Sequence, residues 1–215
     1  EKAKMMLCTL ADLKTYLGIT GDAQNDFLTM LIKQNSAMIE NYLGYPLQRK
    51  ENSEVHNVNN DQLLILDCQP IQSVSEVKIG GQEIEDYKII PKYSKTGMLY
   101  RGLGWCGQYY TRGMTYDIVS GVYEIEVEYI SGYYLPGDEG YTEGAEDSLP
   151  YDIMSACILA CAESYNIKLN NAEGIKSYSE GGQSTTFADG GTMADCGLSA
   201  KICSMLVDYR RQAVA

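Results

Sequence analysis

The sequence predicts an α+β protein: a four-helix, bundle-like core with an antiparallel β insertion between its second and third helices. Three observations lead there. An apolar stripe of 3.6-residue period runs through Asp22–Gly44. From about Arg49 to Tyr134 the period falls to two, with turn residues between short runs. Helical spacing returns after Pro150 and again near the C-terminus. The expected division is residues 1–48 (helical hairpin), 49–134 (β insertion) and 135–215 (closing helices), the last carrying a mobile segment at 174–191.

Residues 1–9 read as a loose arm. Thr9 to Leu17 is a short helix capped by Thr9, with Leu10, Leu13 and Leu17 on its inner face. GITGD then turns the chain into the long helix. There Phe27, Leu28, Leu31, Ile32, Met38, Ile39, Tyr42 and Leu43 recur at helical spacings. The carboxylate of Asp22 suits the N-cap, Gly44 suits a left-handed C′ position, and Pro46 forbids continuation. About twenty-one residues make a rod of roughly 32 Å.

In the β region, Glu51–Val58 and Leu63–Leu66 flank the Asn59-Asn60-Asp61 turn, and Ser73–Ile79 and Gln82–Ile84 flank Gly80-Gly81, a two-residue hairpin signal. Tyr87–Ile90 and Met98–Tyr100 are short strands, followed by a Tyr-rich loop broken by glycines 102, 104, 107 and 113. Val122–Ile130 alternates most clearly. Tyr123, Ile125, Val127 and Tyr129 fall on one face and Glu124, Glu126 and Glu128 on the other, so one face is buried and one wet. Such strands suit a small barrel or sandwich projecting from one end of the bundle.

Gly137–Asp147 holds five acids and no base and reads as an exposed loop. A helix starts at Pro150, with Ile153, Met154, Cys157, Ile158, Cys161 and Tyr165 on one side. Ser155, Ala156, Ala160 and Ala162 are small enough for a neighbouring helix to approach closely. Ser177–Gly191 is polar, extended or mobile. Asp195 can cap a last helix whose inner face is Leu198, Ile202, Met205, Leu206 and Tyr209, with Arg210 and Arg211 at its negative end.

The 215 residues carry a net charge of −12, from 29 acids against 17 bases. That argues against a basic nucleic-acid footprint and against an anionic membrane surface. No run is long enough to span a bilayer, and the opening EKAKMMLCTLADLK lacks the apolar core of a signal peptide. The missing initiator Met suggests trimming. Seven cysteines without framework spacing read as reduced, buried thiols. Close Cys pairs are lacking and His56 is the only histidine, so neither a metal nor a cofactor is expected.

Candidate chemistry is sparse. Gly102 to Gly107 matches G-x-G-x-x-G, but a phosphate cradle needs a helix behind it, and none follows. The acidic loop (Asp138, Glu139, Glu143, Glu146, Asp147) lacks the spacing of a calcium loop. Glu124, Glu126 and Glu128 could pair as catalytic carboxylates, but a row on an exposed strand face reads as a solvated or repulsive surface. A carboxylate-dependent hydrolase is therefore a remote alternative. No G-x-S-x-G or other nucleophile–base pair is present. The 18 tyrosines, many of them in residues 100–134, serve as core or as contact surface.

Several stretches, taken in order, resemble the head–tail connector (adaptor) proteins of tailed bacteriophages. TLADLKTYLGITGDAQNDFLTMLIKQNSAMIENYLGYPL is similar to their N-terminal hairpin, and PIQSVSEVKIGG to the strand pair that follows. IEVEYISGYYLPGD, the acidic loop and LPYDIMSACILACAESYN resemble their strand, Tyr-x-x-Gly-Tyr, Pro and packing helix. GIKSYSEGGQSTTF and LSAKICSMLVDYRR resemble the closing segment. The departures are the Tyr- and Gly-rich stretch at 93–121 and the acidic loop.

The resemblance implies a structural virion protein without catalysis, assembled in the host cytoplasm. It implies a homo-oligomeric ring, typically a dodecamer, between the portal of the DNA-filled head and a tail, stopper or terminator protein. DNA then passes through the ring without sequence-specific binding. On this reading Glu124, Glu126 and Glu128 form an acidic channel face. Ser177, Tyr178, Gly181, Gly182 and Phe187 belong to a docking arm, and Gln24, Lys33, Gln34 and Glu40 face the neighbouring subunit. Another neck component, a tail-completion or terminator protein, is the alternative.

Overall fold

The computed structural model describes residues 6–59, 61–90, 95–105, 108–111, 114–117, 124–169, 177–180, 183–186 and 197–211. Two compact units emerge: Glu1–Gly44 with Tyr134–Arg210, and Tyr45–Tyr133 with Arg211–Ala215. Among the described residues there are four α-helices and several small antiparallel sheets.

The first unit contains α1 (Leu10–Leu17), α2 (Asn25–Leu43), α3 (Tyr151–Leu169) and α4 (Ala200–Leu206), which runs into a 3₁₀ turn at Val207–Tyr209. A capping box starts α1: Thr9 Oγ1 accepts from the Asp12 amide at 3.1 Å, and the Thr9 amide donates to Asp12 Oδ2 at 3.3 Å. Residues 6–9 before it are no loose arm, and residues 1–5 lie outside the described residues. Leu7 and Cys8 are wholly buried, and the Leu7 amide donates to Ser36 Oγ at 3.1 Å. Two apolar side chains gain more from burial than so short a segment loses in freedom.

The long helix begins later than its apolar pattern suggests. Gln24 occupies the N-cap of α2 without a side-chain cap bond. Asp22 instead accepts from Lys14 Nζ at 3.1 Å and Asn25 Nδ2 at 2.9 Å, so its carboxylate is spent on the turn between α1 and α2. Gly44 closes the helix with φ 86°. The 19 residues span about 28 Å. Their buried stripe includes two polar residues, Asn35 and Ser36, beside Leu28, Leu31, Ile32, Ile39 and Leu43.

All three other helices pack against α3, so α3 rather than α2 is the centre of this unit. Its buried residues, Ile153, Met154, Ala156, Cys157, Ala160, Cys161, Ala162 and Tyr165, surround much of the helix instead of forming one stripe. The small ones let neighbouring backbones come close. At α4 the N-cap is Ser199, whose hydroxyl donates to Glu163 Oε1 of α3 at 3.1 Å, while Asp195 lies outside the described residues. Arg210 is the C-cap of the 3₁₀ turn, and its guanidinium lies over the Tyr42 ring at 5.2 Å.

The second unit is built on strand β9 (Glu124–Ser131). Its sheet has the order β1-β9-β3-β4, with β1 at Lys50–Asn57, β3 at Ile71–Ile79 and β4 at Gln82–Glu83. Gly80 and Gly81 make the β3–β4 turn, both at positive φ. The strands either side of Asn59–Asp61 do not pair with each other. β1 pairs with β9, whereas β2 (Leu63–Ile65) pairs with β6 (Met98–Arg101), which also pairs with β5 (Tyr87–Lys88). Within the Tyr-rich loop, β7 (Gln108–Thr111) and β8 (Met114–Asp117) form a hairpin. Leu64, Leu66, Ile71, Val77, Ile79, Ile84, Leu99, Trp105, Ile125, Val127 and Tyr129 build one core.

Gly132, just beyond β9, is the tightest backbone approach in the unit. At φ 87°, a Cβ there would lie 2.6 Å from the Gln48 carbonyl oxygen and 2.8 Å from that of Leu47. Gly132→Ala is expected to cost about 2 kcal/mol or more, since strain adds to a clash with backbone that cannot yield. Gly81→Ala has φ 77° but open space and is expected to cost about 1 kcal/mol. Urea unfolding of the two variants checks the order.

Candidate assembly surfaces

Alternation along β9 buries Ile125, Val127 and Tyr129 and exposes Glu124, Glu126 and Glu128. The register sets the neighbours of this acidic row. Glu126 lies between Val55 and Lys78, Glu128 between Ser53 and Glu76, and Glu124 opposite Asn57. Directly opposed like charges such as Glu76 and Glu128 repel. Lys78 relieves them. Its ammonium sits 2.6 Å from Glu76 Oε2, and Glu76 foremost, with Glu126 and Glu128, holds its pKa above the usual lysine value. This stretch of sheet thus sets four carboxylates against one ammonium.

The inner side of the same sheet holds the chain's only histidine. Glu54 of β1 accepts from Tyr129 Oη through one oxygen. Its other oxygen lies 2.9 Å from His56 Nε2 and accepts from the Asp67 amide at 3.0 Å. The Cys68 amide in turn donates to Tyr129 Oη at 3.1 Å. Burial works against the Glu54 charge, but His56, Tyr129 and the Asp67 amide outweigh it and lower its pKa. Burial first, and then Glu54, raises that of Tyr129. A Tyr–Glu–His set could do acid–base work. Here the carboxylate is only 12% exposed and its donors are internal, so the set braces β1 against β9 and the Asp67–Cys68 turn.

The G-x-G-x-x-G match begins as a turn after β6. Arg101, wholly buried, sends Nη1 to the Gly104 carbonyl at 3.0 Å and engages Asp86 through Nε at 2.8 Å and Nη2 at 3.1 Å. Cys106 and Gly107 lie outside the described residues.

In the helical unit Gln24, Lys33 and Gln34 are exposed and Glu40 is half-buried. Gln24 accepts from Tyr165 Oη at 2.8 Å, which ties it to α3 of its own chain. The arm segment includes an antiparallel hairpin, β10 (Ser177–Glu180) with β11 (Gln183–Thr186). Ser177 and Tyr178 lie on its first strand. Gly181, Gly182 and Phe187 fall outside the described residues.

The cysteines give what the spacing of the sequence hides. Cys8, Cys157 and Cys161 bring their sulfurs within 4.8 Å of one another, the one converging set of potential metal ligands among the described residues. Cys8 Sγ donates to Cys157 Sγ at 3.8 Å, and Ser36 Oγ lies 3.7 Å from the same sulfur. Hydrogen bonds from Cys161 and Cys8 favour the thiolate at Cys157, while those two thiols are themselves pushed up. A third cysteine 149 positions away carries no local signal. The C-x-x-x-C pair on α3 was the only legible part.

Comparison with solved structures places the fold among particle components. The chain matches one in the virion of a native gene transfer agent particle with TM-score 0.53 at 14% identity, over 97% of this chain and 92% of that one. It matches one in the neck of the native particle, computed with C12 symmetry, with TM-score 0.53 at 13% identity, over 100% and 94%. A third match, in the neck of the empty particle computed with C6 symmetry, has TM-score 0.52 at 13% identity, over 97% and 92%. No curated protein matches. The class is that of proteins that complete the head of a particle. Within it, the chain belongs to the head completion protein family, whose model matches residues 6–212.

The Glu54 brace has a pH signature. Its lowered folded pKa adds stability above the ordinary value of 4.5, and that stability disappears as pH falls through the folded value. Glu54→Gln is therefore expected to lose about 1.5–3 kcal/mol at neutral pH. The gap to the wild type should narrow as pH drops below 4.5. Urea midpoints measured across that range check it.

Proposed function

We propose that the chain is a subunit of an oligomeric ring, dodecameric in the assembled particle, that joins the portal of the filled head to the tail and extends the DNA channel. Membership of the head completion family carries this reading. The neck structures with C12 and C6 symmetry that share the fold support the ring. The part is structural, without catalysis: the Tyr129–Glu54–His56 array is consumed as a brace. Ring contacts are head-to-tail, so two different surfaces of one subunit must match. The polar side of α2, with Lys33 and Gln34, is assigned to one of them.

The acidic row Glu124, Glu126 and Glu128 is assigned to the DNA path. A net charge of −12 per subunit makes any such ring a negative collar, and like charge keeps the polyanion from adhering. The segment at 174–191 is assigned to docking on the portal or tail. A paired two-strand hairpin has too little apolar surface to be stable alone and gains from a partner.

Native mass spectrometry of the full chain, with and without the portal ring, tests the assembly. Wild type is expected to form a closed ring on the portal. Deletion of 174–191 should abolish docking with far-UV dichroism nearly unchanged, and Gln34→Arg should block ring closure. A chain that stays monomeric on the portal contradicts the reading. For the channel, the triple change Glu124→Lys, Glu126→Lys and Glu128→Lys is expected to slow DNA packaging or ejection. Unaltered passage would move that face away from the DNA.

A further inference from the structure

We propose that Cys8, Cys157 and Cys161 are a three-sulfur site for a thiophilic metal ion, zinc(II) by its geometry, which staples the N-terminal segment to α3. The three sulfurs lie within 4.8 Å of one another and Cys8 and Cys157 are 3.8 Å apart. Zinc bound to sulfur at about 2.3 Å in a tetrahedron sets its sulfurs about 3.8 Å apart. The separation of Cys8 and Cys157 already matches, and the third sulfur lies within 4.8 Å of both.

The surroundings suit a buried metal–thiolate group. All three cysteines are buried, and Asn35 and Ser36 are the buried polar residues of α2. Ser36 Oγ accepts from the Leu7 amide at 3.1 Å, which leaves its hydroxyl hydrogen for Cys157 at 3.7 Å. Asn35, its neighbour on α2, donates to the Leu31 carbonyl at 2.9 Å and to Ser164 Oγ of α3 at 3.5 Å. A second-layer donor such as Ser36 steadies the negative charge that three thiolates leave on a divalent ion. Binding replaces S–H bonds by S–metal bonds and releases the protons to water, with no change in oxidation state. Because Cys8 precedes α1 and the pair lies on α3, the ion enters as the N-terminal segment folds onto the core.

The test uses the full chain, reduced and refolded with zinc(II), with copper(I), or with a chelator. Elemental analysis after desalting is expected to find one ion per chain. Cobalt(II) loading should give sulfur-to-metal charge-transfer absorption. Copper(I) displacing zinc would support the same three-sulfur site with trigonal geometry. Cys8→Ala and Cys157→Ala should lose the ion, and Cys68→Ala, in the other unit, should keep it. Should Cys157→Ala fail to fold, Cys8→Ala and the wild-type cobalt spectrum decide. Three results would overturn the proposal: a wild type that takes up no ion, a Cys8/Cys157/Cys161 triple alanine variant that still binds one, or an intact mass two hydrogens lower, showing a disulfide instead.

Discussion

The helical unit depends on the burial of α3. A helix covered by three others needs side chains that fill space without holding its neighbours apart, and Ala156, Cys157, Ala160, Cys161 and Ala162 do so. Close approach then fixes the rest. It brings Ser36 of α2 to the Cys157 sulfur and Asn35 to Ser164 Oγ of α3, and Ser36 in turn receives the Leu7 amide. The N-terminal segment is thereby pinned before α1 begins. Replacing any of these small residues by a larger one would overfill the site, at a cost of about 1–3 kcal/mol.

The same dependence explains what the sequence could reveal. A helix at the edge of a core carries an apolar stripe, and α2 shows one. A helix buried on several sides has no stripe, so α3 was readable as a helix but not as the centre. The alternation of β9, the Gly80-Gly81 turn and the cap at Thr9 were legible because each is local chemistry. Strand partnership was not. Asn59–Asp61 reads as a turn between two strands, yet β1 and β2 belong to different sheets, because each pairs with a strand distant in sequence, β9 and β6. Asp22 failed as a cap for a related reason: Lys14 and Asn25 compete for its carboxylate.

Of the assembly surfaces, the acidic row on β9 was legible in full, since its exposure follows from period two. The counter-charge on Lys78 and the repulsion from Glu76 appear only with the register. The sulfur cluster was half legible. Cys157 and Cys161 share a helix face by spacing, while Cys8 joins them only through the fold.

The central claim is that copies of this chain ring the DNA path between head and tail. Cryo-electron microscopy of the neck of the particle that carries this protein, with symmetry released before it is imposed, tests it most directly. The account predicts a closed ring of this fold stacked on the portal, its β9 carboxylates turned toward the DNA. Density for the chain in the tail, or as isolated copies around the neck, would contradict it.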